Sequence, residues 1–98
     1  MKYLKYFENI NQLKDYIIFR DFDNIIYIIK ILSKAHTLDI PYKKLYRLDN
    51  NNLYELTNDN CYYHSSIYIK KNALFQSDDL NYCKDNIIQI TKIKKYNL

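Results

Sequence analysis

From Phe22 to His36 the chain reads FDNIIYIIKILSKAH, its longest apolar segment, and what this stretch becomes decides what every other piece can pack against. Its polar residues Asp23, Tyr27, Lys30 and Lys34 recur at steps of four, three and four, the period of one helix face. Phe22, Ile25, Ile26, Ile29, Leu32 and His36 then lie opposite. Asp23 is suited to cap the first turn, and Lys30 and Lys34 sit toward the negative end of the dipole. The spacing therefore predicts a helix over 23–36, and Ile26, Ile28 and Ile31 widen its apolar stripe enough to be covered on two sides. Five isoleucines in seven residues favour a strand instead. That argument is set aside because Phe, Tyr, Met, Ile, Asn and Lys, the residues of AT-rich codons, fill 57 of 98 positions, which makes isoleucine abundance a mark of a low-GC genome.

The rest of the chain is arranged around that helix. Phe7, Ile10, Leu13 and Ile17 follow helical steps, and Asn9 with Gln12 resembles a capping box, so a first helix is expected over about 9–19. A short link makes the two a helical hairpin. Pro41 ends helical structure. Leu45 to Leu48 and Leu53 to Thr57 flank Asp49 to Asn52, DNNN, which reads as a β-hairpin. Cys61 to Lys71 alternates, with Tyr63, Ile67 and Ile69 toward the helices and Tyr62, His64, Ser66, Tyr68 and Lys70 outward. Ser77, Asp78 and Asp79 open a short helix near 78–83, and Ile87 to Ile93 reads as a last strand. The expected fold is one α+β domain over 1–98, with an N-terminal helical hairpin packed on a small antiparallel sheet from residues 44–95.

Composition narrows the function classes. The chain has no glycine, and phosphate-cradling loops, dinucleotide fingerprints and nucleophile elbows all need one. A net charge of +4, spread along the chain, argues against an acidic DNA mimic. The opening MKYLKYFENIN breaks its apolar residues with charges too early for a signal peptide. No apolar run approaches the length of a bilayer span, so no membrane partner is expected. Cys61 and Cys83 fit a reducing cytoplasm.

Cys61 and His64 have the spacing of half a zinc site, with His36 and Cys83 as the remaining ligands, but a zinc site normally shows a second close pair, and no cofactor is expected. His64, Ser65 and Ser66 diverge if they lie on a strand, and adjacent Asp78 and Asp79 read as dipole partners. No nucleophile, base and oxyanion donor come together, so no enzyme is expected. The outward face Tyr62, His64, Tyr68 and Lys70 interleaves aromatic and basic groups as surfaces that stack single strands do. Lys43, Lys44 and Arg47, together with the tail Lys92, Lys94 and Lys95, complete the candidate partner-binding residues.

Three short runs, Leu53 to Leu56 (LYEL), Ser77 to Leu80 (SDDL) and Asn86 to Ile90, resemble in order those of small phage and mobile-element proteins that inhibit bacterial defence, the anti-CRISPR-like proteins. The resemblance carries over no functional residue. It implies a non-enzymatic protein that acts in the host cell cytoplasm and inhibits a larger host protein or ribonucleoprotein complex, such as a CRISPR effector, by occupying a surface, with direct nucleic-acid contact as a further element. The alternative is a small basic nucleic-acid-binding regulator.

Overall fold

The computed structural model describes residues 13–35 and 38–96, with 91–96 described as backbone. Six strands, β1 (Tyr16–Arg20), β2 (Ile26–Ile31), β3 (Ile40–Asp49), β4 (Asn52–Glu55), β5 (Tyr62–His64) and β6 (Ala73–Ser77), form one antiparallel sheet, and two helices, α1 (Ser66–Asn72) and α2 (Leu80–Tyr96), lie against it. The strand order is β4-β3-β2-β1-β6, and β5 joins β4 on the outer edge of β3. The expected helical hairpin is absent. The segment expected to be its second helix holds β2, and the described part of its first helix holds β1, paired with β2 from Tyr16↔Lys30 to Arg20↔Ile26; residues 9–12 and His36 lie outside the described residues.

The reason is burial on both sides. Ile17, Phe19, Tyr27, Ile29 and Ile31 belong to a core that includes Ile40, Tyr42 and Ile69 of α1, while Ile18, Ile26 and Ile28 belong to another with Cys83 and Ile87 of α2. A strand covered on both faces shows a continuous apolar run instead of alternation, and β-branched isoleucines suit it. Each such side chain contributes about 1.5–3 kcal/mol when fully buried. The isoleucine density set aside above was the correct signal. Asp23 does not cap a helix; its Oδ1 accepts from the Ile25 amide at 3.0 Å in the β1–β2 turn, where Asn24 has φ 66° and Phe22 stands 83 % exposed.

The face toward α1 is called here the inner face, and the face toward α2 the outer face. Strand β3 changes its alternation part-way. Ile28 pairs with Tyr46 and Ile29 with Lys44, which leaves Leu45 as the extra residue of a bulge. Ile40, Tyr42 and Lys44 therefore point inward, whereas Tyr46 and Leu48 point outward. The hairpin over Asp49–Asn52 forms, with Asn50 and Asn51 at φ 52° and 65° doing what glycine would otherwise do.

Three further expectations are corrected. Cys61–Lys71 is not one strand: it turns at Ser65, whose hydroxyl accepts from the Tyr68 amide at 3.1 Å and caps α1. Of the residues expected to face the core there, only Ile69 is buried, while Tyr63 and Ile67 are 60 % and 65 % exposed. The helix expected near 78–83 begins at Leu80, with Asp79 Oδ1 accepting from the Asn81 amide, and continues to Tyr96, so Ile87 to Ile93 is helical. The sheet spans 16–77, not 44–95.

Candidate functional site

On the inner face the rings of Phe19, Tyr42, Tyr62, His64 and Tyr68 pack together. Tyr42 is wholly buried, stacks on Tyr62 with centroids 5.7 Å apart, and shares a 2.9 Å hydrogen bond between its hydroxyl and His64 Nδ1. His64 stacks on Tyr68 at 4.2 Å, and Tyr68 meets Phe19 edge-on. These contacts hold β5 and α1 on the sheet. Burial, with Asp21 nearby, raises the hydroxyls of Tyr42 and Tyr68 above the ordinary tyrosine value, so both stay neutral.

Beside this cluster Lys44 forms an ion pair with Asp21, Nζ to Oδ2 at 2.6 Å, with side chains 10 % and 2 % exposed. The ammonium also lies 4.2 Å from the Tyr27 ring centroid and 4.3 Å from that of Tyr62, so two aromatic faces and a carboxylate enclose it. Burial opposes the charge on Lys44, but the hydrogen bond and charge of Asp21 outweigh it and raise the lysine above its ordinary value. Asp21 Oδ1 accepts from the Phe22 amide, and Tyr27 donates to Asp23 Oδ2 at 3.3 Å. Every group in this assembly is engaged by its neighbours, and it reads as a structural core.

No family model, curated protein or solved structure matches this chain. The surfaces themselves must carry the functional reading.

The expected outward face of Tyr62, His64, Tyr68 and Lys70 is not a strand face. Tyr62 and His64 are on β5 and half-buried toward the inner core, whereas Tyr68 and Lys70 are on α1. Lys43, Lys44 and Arg47 share β3 but not one surface: Lys44 is inside, Arg47 is inward opposite Tyr27, and Lys43 is outward opposite Lys30. Arg47 lines an open cavity of about 450 Å³ between the two hairpin turns, with its Nε enclosed and unpaired. Lys92, Lys94 and Lys95 fall in the last turns of α2, beyond the described side chains. Cys83 packs on the outer face and His64 on the inner, so the sheet separates two of the four zinc ligands considered, and no metal-holding cluster occurs among the described residues. Ser65 serves as a helix cap, and Asp78 accepts from the Asp15 amide. Among the described residues no helix is long and apolar enough to cross a membrane.

Among the described residues helix α2 covers only part of the outer face. Lys30, Lys43, Pro41 and Tyr63 occupy the outward positions of the remaining part, bordered by Tyr16, which is half-buried against the α2 core; Lys30 is exposed and Tyr63 60 % exposed. Sequence reasoning found Lys43 and missed the others, because their adjacency comes from cross-strand register and leaves no mark in local spacing.

Proposed function

We propose that this chain works by binding, as a non-enzymatic protein that occupies a surface on a larger partner. The observation that supports this best is the placement of large apolar side chains around one end of the β3–β5 ladder. Leu38, two residues before the Ile40↔His64 pair, is 93 % exposed; Ile67, three residues after it, is 65 % exposed; and Tyr63, opposite Pro41, is 60 % exposed. Single exposed apolar residues are ordinary, but several around one ladder end, one of them an aromatic anchor, suit an interface. The narrower form of the proposal, a phage or mobile-element inhibitor of a host defence complex such as a CRISPR effector, rests on the sequence resemblance.

The test is isolation of the tagged chain from its native host, identification of the associated complex, and titration of the purified pair. Leu38→Asp with Ile67→Asp should weaken that titration at least about tenfold, as expected for loss of anchor residues. Unchanged affinity, or no stable complex at all, would remove the reading.

A further inference from the structure

The uncovered part of the outer face holds two like charges directly across a ladder. Lys30 pairs with Lys43, both side chains pointing away from the Tyr42 core. Directly opposed like charges destabilise a strand pair. Other cations at this end have close carboxylates: Lys34 Nζ is 2.8 Å from Asp15 Oδ1, and Lys14 is 4.0 Å from Asp78. Lys30 makes no close ion pair among the described residues: it approaches the Tyr16 ring at 6.0 Å, and its charge acts on Asp15 at longer range, behind the direct Lys34–Asp15 contact. Lys43 has only Asp59 at 3.9 Å, and that carboxylate is fully exposed, where a pair contributes little. Two lysines are thus held side by side with no close, buried carboxylate on either. They lie on the outer face of the sheet, with Tyr16 on one flank and Tyr63 with Pro41 on the other.

We propose that this part of the sheet binds a single-stranded nucleic acid, with Lys30 and Lys43 on consecutive phosphates and Tyr63 as a base-stacking platform. The inference rests on the binding reading above and specifies the chemistry of the partner: its exposed strand lies on the sheet and reaches Tyr63, where the two surfaces meet, while its protein seats on Leu38 and Ile67. Strand spacing near 4.8 Å puts Tyr16, Lys30 and Lys43 in one row across β1, β2 and β3, the direction in which a strand would cross the sheet. Phosphate contacts supply affinity without sequence preference, and an exposed ring accepts any base. A duplex offers no unstacked base to Tyr63, so single strands are preferred.

The experiment is fluorescence anisotropy with labelled oligouridylate, oligothymidylate and a duplex of equal length, over a range of salt. The proteins are the full chain, Lys30→Glu, Lys43→Glu, the double variant, Lys30→Gln/Lys43→Gln, and Tyr63→Ala. Lys71→Glu, an equal change of charge on exposed α1 across the sheet, is the control. Single strands should bind at about micromolar affinity and more tightly than the duplex. The double Glu variant should lose about tenfold or more and flatten the salt slope by about 1.4, the release expected from two phosphates. Tyr63→Ala should lose about fivefold or more at unchanged slope. Circular dichroism of each variant separates unfolding from lost binding, and the Gln pair removes charge without reversing it. Equal losses in Lys71→Glu and Lys30→Glu would overturn the inference, because the attraction would then be diffuse. So would absent strand binding by a folded chain that still titrates its protein partner, a result that leaves the binding reading standing; absence of both would remove the two together.

Discussion

Lys44 is the residue at which the fold takes its largest electrostatic risk. Its ammonium is nearly out of water and is held by Asp21 and the rings of Tyr27 and Tyr62. Removing one member of a buried pair leaves the other uncompensated, at a cost of about 3–5 kcal/mol. Lys44→Met and Asp21→Asn should each lose that much in urea unfolding, and the two together should lose clearly less than their sum; additive losses would mean that the pair is solvated. Cys83 makes a second residue-scale prediction. Burial, with Asp79 adding to it, pushes its thiol from 9.0 up to about 11. The folded chain therefore holds that proton more tightly than the unfolded one. The resulting stabilisation is complete below the unfolded value and is lost as pH rises from about 9 through 11, roughly 2–3 kcal/mol for such a shift. Lys44 and Tyr42 are raised as well and lose stability in the same alkaline direction. Cys83→Ala isolates the thiol: its stability should fall less steeply than that of the parent between pH 9 and 11.

Among the elements, the β3–β4 hairpin and the start of α2 were legible because each is written locally. DNNN gives two residues that tolerate left-handed backbone, and Asp79 supplies a cap. Strand β2 was not legible by periodicity, since cover on both faces erases alternation and the packing partners lie far along the chain. The opposite error occurred at α1: Tyr62 to Lys70 alternates in sequence, but Ser65 caps a helix, and the aromatic residues on either side of the cap, His64 and Tyr68, stack. Two substitutions test these local devices. Asn51→Gly should stabilise by a few tenths to about 1 kcal/mol, because glycine removes the cost of a side chain at positive φ, whereas Asn51→Val should destabilise. Ser65→Ala should cost about 1 kcal/mol, read as a lower thermal midpoint.

For the whole molecule, the central strands are buried on both faces while α1 is short and buries only Ile69. Hydrogen exchange should therefore be slowest at Ile17, Ile18, Ile28 and Ile29 and markedly faster through α1; equal protection would contradict this gradient. The candidate surface is a property of this scale too. Lys43 was visible as part of a basic cluster, but Lys30 becomes its neighbour only through the β2–β3 register, and Tyr63 was assigned to the wrong side because the strand containing it was drawn too long.

The bulge at Leu45 also bears on how this chain can change in length. Because Lys44 and Tyr46 already point to opposite sides, excising Leu45 would restore regular pleating without turning either set of side chains over, at the loss of the carbonyl that accepts from Leu56. Excising Lys43 instead would swap the inward and outward residues of half the strand. A one-codon deletion should thus be survivable at 45 and ruinous two positions earlier.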